Sequence, residues 1–112
     1  MKPQTIKQFL VMSILFNLLM TGIVLNTEAL LKNGGKMPVL TDSFFATNTH
    51  FSYQDKDEVE IWILTDIIKW GNNVWSIGDF ILVISITLLT IYGGYSAIQE
   101  IRERREEKKN GL

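Results

Sequence analysis

No charged side chain interrupts the chain from Gln8 to Thr27, and none interrupts it from Phe80 to Ile98. These two runs constrain the fold more than any other feature. A soluble globule scatters its apolar residues at helix or strand periods. Here they gather in two blocks, with the charges between and after them. About 20 predominantly apolar residues, rising ~1.5 Å each, cross the ~30 Å hydrocarbon core of a bilayer. Phe9–Leu25 and Phe80–Ile98 each predict a span on that basis. The first run exceeds the ~7–15-residue core of a signal peptide. Leu25-Asn26-Thr27-Glu28 also offers no small-x-small cleavage site, so a retained anchor is expected.

The predicted fold class is an all-α membrane protein, two transmembrane helices in a hairpin beneath an external loop cap. Residues 1–8 are a cytoplasmic lead carrying Lys2 and Lys7, and Pro3 marks the helix start. Residues 9–32 are the first span with an extension, in which Glu28 and Lys32 form a favourable i,i+4 pair. Residues 33–75 are the external loop. Within it, Leu40–Tyr53 shows no helical period, whereas the apolar stretch around Ile61–Trp70 predicts a short interfacial helix over about 58–70. Trp62, Trp70 and Trp75 suit the headgroup zone, where indole has an apolar body and a polar N–H. Residues 76–99 are the second span and 100–112 a charged cytoplasmic tail, with Glu100 and Arg104 placed to pair.

Charge sets the expected orientation. Seven of the 11 Lys and Arg lie at the two ends, and four lie in the segment 26–79. By the positive-inside rule both termini face the cytoplasm and the loop lies outside. The net charge of -1 gives no case for nucleic-acid binding. The absence of cysteine removes disulfides and thiolate chemistry. Neither span carries an ionisable side chain, which argues against a proton relay or transporter.

Several motifs carry structural meaning. Asn33-Gly34-Gly35-Lys36-Met37-Pro38-Val39 has the form of a helix stop: residues that tolerate left-handed backbone, then proline. It lacks the spacing of a phosphate-binding loop, and it follows a helix instead of preceding one. Ser76-x-x-Asp79 before an apolar run has the form of a capping box that starts the second span. In a hairpin these two motifs lie on one face and close the cap, with Lys36 and Asp79 as a charge pair. Ser13, Asn17 and Thr21 share one face of the first span. Thr87, Thr90, Gly94 and Ala97 share one face of the second, and Gly93–Ala97 is a further pair of small residues. Two readings stand for these faces: they pack on each other, or one docks a partner. His50 is the only histidine, and with scattered acids it gives a weak metal signal. No catalytic set assembles around it, so no enzyme activity, cofactor or metal is expected.

The order NGGKMPV, a lone His50, Leu64-Thr65-Asp66, then Ser76-Ile77-Gly78-Asp79 opening an apolar helix resembles the bacterial membrane proteins catalogued as domain of unknown function 5317. The resemblance spans roughly residues 9–95 and implies a shortened member holding the last two spans of the pattern. Thr65 stands where the pattern has glycine. The family carries no established activity, so the resemblance supports the architecture and leaves mechanism open.

The expected function is a non-enzymatic integral membrane subunit or accessory protein. Its partners would be the lipid bilayer and another membrane protein or a second copy, with no nucleic acid. Two alternatives are a phage-holin-like pore former and a membrane sensor binding a ligand or ion through His50, Asp66 and Asp79.

Overall fold

The computed structural model describes residues 3–111. The molecule is elongated, 68 × 27 × 20 Å. Two helices, α1 (Pro3–Lys32) and α2 (Ile77–Lys109), pack along each other as a hairpin. Between them lies a small cap with four strands: β1 (Met37–Leu40), β2 (His50–Tyr53), β3 (Ile68–Trp70) and β4 (Asn73–Trp75). Both helices are long and apolar enough to cross a membrane. Only 6% of the most apolar window of each is buried, so neither is the core helix of a globule.

The hairpin seam has a clear period. On α1 the shielded residues include Val11, Leu15, Leu19, Gly22, Asn26 and Ala29; on α2 they include Gly78, Leu82, Ser85, Leu89, Tyr92 and Ser96. Spacings are three or four throughout on both helices, the pattern that keeps one narrow seam facing a neighbouring helix. Ala29 and Ser85 are fully buried in it. At the chain ends the seam closes with Gln4 Nε2 donating to Gln99 Oε1 at 2.9 Å.

Helix α1 stops where its sequence predicts. Gly34 and Gly35 adopt φ of 74° and 85°, and Gly35 N–H donates to Leu30 O at 2.7 Å. That is the long bond of a Schellman stop, which satisfies a carbonyl the helix leaves free. The predicted Glu28–Lys32 ion pair does not form among the described residues, whereas Glu100 and Arg104 do pair, at 2.7 Å.

The cap corrects the all-α expectation. β1 and β2 pair in parallel, Met37 opposite His50 and Leu40 opposite Tyr53. On its other side β1 meets Asp66, which donates its N–H to Pro38 O at 3.0 Å and accepts from Leu40 N–H at 2.9 Å. Met37, Pro38 and Val39 are buried. Leu40–Tyr53 is thus partly a strand. Its Thr47–His50 turn folds residues 45–46 back on β2, with Ser52 N–H donating to Phe45 O at 3.0 Å.

The expected interfacial helix over 58–70 is absent. In its place are two single 3-10 turns, Lys56–Glu58 and Trp62–Leu64, and the antiparallel hairpin β3–β4. The reason lies in the residues. Ile61 to Trp70 is rich in β-branched and aromatic side chains, which favour strands. Gly71-Asn72 forms a two-residue loop, with Gly71 at φ 64°, and such a loop joins strands, not a helix and a coil. Asn33 fastens the stretch before it. Its side chain donates to Glu60 O and accepts from Glu60 N–H, each at 2.9 Å. Ile61 next to that clasp holds a left-handed backbone, φ 48°, a conformation that persists only where the surroundings impose it.

Candidate functional site

The start of α2 is where the hairpin and the cap meet. Ser76 Oγ accepts from Asp79 N–H at 3.0 Å, and Ser76 N–H donates to Asp79 Oδ2 at 3.1 Å. Both halves of the predicted capping box are therefore present. A third residue completes it from α1. Asn26 Nδ2 donates to Asp79 Oδ1 at 2.9 Å, and the Ser76 hydroxyl donates to Asn26 Oδ1 at 2.7 Å. One carboxamide thus satisfies an acceptor and a donor across the seam, which its two chemically distinct ends allow.

Two glycines bring Asn26 onto the box. A Cβ on Gly78 would run into the Asn26 carboxamide and stand 3.0 Å from Gly22 O; one on Gly22 would stand 3.0 Å from Gly78 O. Asn26 and Gly22 escaped the sequence reading. The available signal was the row Gly22, Asn26, Ala29, Asn33, spaced by four, three and four along one helix face.

The expected Lys36–Asp79 pair is not formed among the described residues. Both Asp79 oxygens are already engaged, by Asn26 and by the Ser76 backbone. What holds this end of the hairpin is the Asn26 carboxamide, which joins α1 to the start of α2. The Asn33–Pro38 motif contributes its helix stop and the buried β1 residues Met37 and Pro38.

Asp66 is the second centre. Only 5% of it is exposed. Its Oδ2 lies 3.7 Å from His50 Nε2, and its buried Oδ1 has no hydrogen-bond partner. An unpaired buried acceptor costs about 1–3 kcal/mol. Burial, aided by the nearby Asp79 charge, raises the Asp66 carboxyl to about 7. His50 Nδ1 is held by Thr49 Oγ1 at 2.8 Å. Asp66, Asp79, His50, Asn26, Leu30 and Met37 line a cleft of about 320 Å³. Among the described residues no three His, Asp or Glu side chains converge closely enough to hold a metal ion.

Below the cleft, Thr65 is fully buried. Its hydroxyl donates to Trp62 O at 2.6 Å and contacts Tyr53 Oη at 2.6 Å. Thr65 thereby ties a 3-10 turn to β2. Burial also pushes the Tyr53 phenol up, partly offset by the Thr65 hydrogen bond.

The residues expected to pack the helices together fall mostly elsewhere. Asn17, Thr21, Thr87, Thr90, Gly94 and Ala97 are exposed, while Ser13 and Gly93 are half-buried. Asn17 Nδ2 turns back to Ser13 O at 2.9 Å, Thr21 to Asn17 O at 2.9 Å, and Thr90 to Ile86 O at 2.8 Å. Such back-bonding satisfies a hydroxyl or amide within its own helix. The mutual-packing reading of these faces is therefore corrected: the two faces do not meet, and the seam runs through Gly22 and Gly78.

Comparison with protein families matches residues 9–91 to a family of unknown function, DUF5317. No curated protein and no solved structure matches the chain. The matched span holds the α1 stop, the whole cap, the Asn26–Ser76–Asp79 clasp and the first half of α2. Since it covers well over half of the sequence, the chain belongs to the DUF5317 family.

Proposed function

We propose that this chain is a non-enzymatic integral membrane subunit that assembles with another membrane protein or with a second copy of itself. The observation that carries the reading is the outward placement of Asn17 and Thr21 on α1 and of Thr90, Gly94 and Ala97 on α2. In a bilayer, small and hydroxyl- or amide-bearing residues on a helix surface favour helix contact, because they admit close backbones and interhelical hydrogen bonds. The seam leaves both rows to lipid or to a neighbour. Large apolar side chains around them, Phe9 at 67%, Ile14 at 67% and Ile91 at 64% exposed, suit acyl chains. The cap would lie outside the cell and both termini inside, as the Lys and Arg distribution favours.

Photo-crosslinkers placed at Asn17 and Gly94 in native membranes test assembly. A discrete adduct at either position, against none from a lipid-facing control at Ile14, is the expected result. A monomer in mild detergent that forms no adduct at either site refutes the reading. Orientation is tested separately. The sequence contains no cysteine, so single-cysteine variants at Asn48 and Asn110 report cleanly, and an impermeant thiol reagent should label only Asn48→Cys in intact cells.

A further inference from the structure

We propose that the groove formed by Trp70, Trp75, Phe80 and Val83 takes up phospholipid acyl chain, so that the β3–β4 hairpin rests in the membrane surface on the cap side. This contact rests on the reading that the two helices span a bilayer. It does not require a protein partner.

The β3–β4 turn builds the groove. Gly71, at φ 64°, closes the two-residue loop, and the strand pair lies beside the first turns of α2. Trp70 stacks on Phe80 with ring centroids 5.4 Å apart and planes 19° off parallel. Trp75 lies 6.0 Å from the same ring at a tilt of 46°. These three rings and Val83 bound a space of about 270 Å³. Trp70 nevertheless stays 68% exposed. Trp62 differs, being half-buried with Lys56 Nζ 3.9 Å from its ring centroid.

Three observations select an acyl chain as the occupant. The first is depth. Phe80 opens the 19-residue uncharged run of α2. At ~1.5 Å per residue that run rises about 28 Å, close to the ~30 Å hydrocarbon core. Phe80 therefore sits at the boundary, and Val83 about 4.5 Å inside it. An indole at this level sets its ring on methylenes and its N–H towards the headgroups. The second is continuity. Val83 is exposed, and so are Ile84 and Ile86 beyond it, so the groove opens onto the apolar surface that a spanning α2 turns to lipid. The third is fit. All four lining side chains are apolar or aromatic. A helix about 10–12 Å across with its side chains is too broad for so small a space, whereas a single hydrocarbon chain can enter it.

Tryptophan emission tests the contact. Trp62→Phe with Trp75→Phe leaves Trp70 as the single tryptophan and keeps an aromatic ring on each wall, and circular dichroism checks the fold. The full chain is placed in phosphatidylcholine vesicles whose acyl chains carry bromine either near the glycerol or near the chain end. Resistance to alkaline carbonate extraction reports separately whether the helices are in the bilayer. Bromine near the glycerol is expected to remove most of the Trp70 emission, and bromine near the chain end less. Iodide on both sides of the vesicle should remove little, and none of these results should change as the protein is diluted in lipid. A chain that resists extraction, yet whose Trp70 is quenched by iodide and not by bromine, overturns the contact and leaves the spanning reading intact. A chain that is extracted overturns both. Stronger quenching from the chain end than from near the glycerol also overturns the proposed seat. Bromine quenching that appears only on dilution assigns the groove to a second copy and overturns the proposal.

Discussion

Asn26 Nδ2 donates to Asp79 Oδ1 at 2.9 Å across 53 residues of sequence, and it does so at the first turn of the second helix. The same carboxamide accepts from Ser76, so one side chain on α1 secures the start of α2. Asn26→Ala removes both bonds from a part-buried position and should cost about 1–3 kcal/mol. Asn26→Asp should cost more, because it also sets a second carboxylate beside Asp79. Chemical unfolding in detergent, followed by tryptophan fluorescence, gives the ranking parent, Ala, Asp in falling midpoint. An alanine variant as stable as the parent would remove Asn26 from the clasp.

The glycines separate into two classes. A methyl at Gly78 meets the Asn26 carboxamide, and one at Gly22 meets the α2 backbone and Leu82; methyls at Gly93 and Gly94 meet nothing within 4 Å. Gly78→Ala and Gly22→Ala should therefore lower the melting temperature of the hairpin, by overpacking worth about 1–3 kcal/mol. Gly93→Ala and Gly94→Ala should leave it unchanged or slightly raised, since alanine favours helix. If Gly94→Ala destabilises the isolated hairpin as much as Gly78→Ala does, the seam assignment is wrong.

The helix stop should be sensitive for a different reason. Neither Gly34 nor Gly35 has an atom within 4 Å of an added Cβ, yet both hold positive φ. Space is available, but an L side chain pays about 1–2 kcal/mol in the left-handed region, more when β-branched. Gly34→Val with Gly35→Val should reduce accumulation and make the cap protease-sensitive, whereas Gly34→Asn should be tolerated. Limited proteolysis of membranes distinguishes the two.

Stability should depend on pH through Asp66, faced by His50 and Asp79. Its carboxyl sits near 7 in the folded chain against 3.8 as the ordinary value. The folded state therefore binds this proton more tightly than the unfolded state does. The resulting stabilisation is complete below about pH 4 and is lost as pH rises towards 7. On this account the cap unfolds more easily at pH 8 than at pH 5, and Asp66→Asn flattens that part of the profile. Melting curves at half-unit steps of pH check it; a parent protein whose Asp66-dependent stability instead rises over pH 5–8 contradicts the assigned direction.

The spans and their punctuation were legible because their signals are local. Two uncharged runs, Gly34-Gly35 with Pro38, and Ser76-x-x-Asp79 each act through neighbouring backbone, so residue type and spacing suffice. The cap was not legible to the same degree. Ile61–Trp70 has the apolar length of an interfacial helix, and its strand pairing is signalled only by the two-residue turn Gly71-Asn72 that follows it. The parallel pairing of β1 with β2 depends on contacts across the loop that no local pattern records. The seam has no local mark: Asn17 and Asn26 look alike in sequence, and only the facing Gly78 distinguishes them. Asp66 appeared as part of a motif, but its burial follows from the strand on which it pairs.

The clasp also has a consequence for the order of synthesis. A ribosome delivers Asn26 some 50 residues before Ser76 and Asp79 exist. Until then the first helix ends in a carboxamide with no counterpart, and β1 awaits Asp66 as its second neighbour. The strand pairings of the cap all precede Ser76 in the chain, so only the fastening to the first turn of α2 waits for it. A nascent chain arrested before Ser76 would hold the residues of every cap strand but not the bonds that fasten α1 to α2. A completed one carries both bonds from Asn26 to the start of α2.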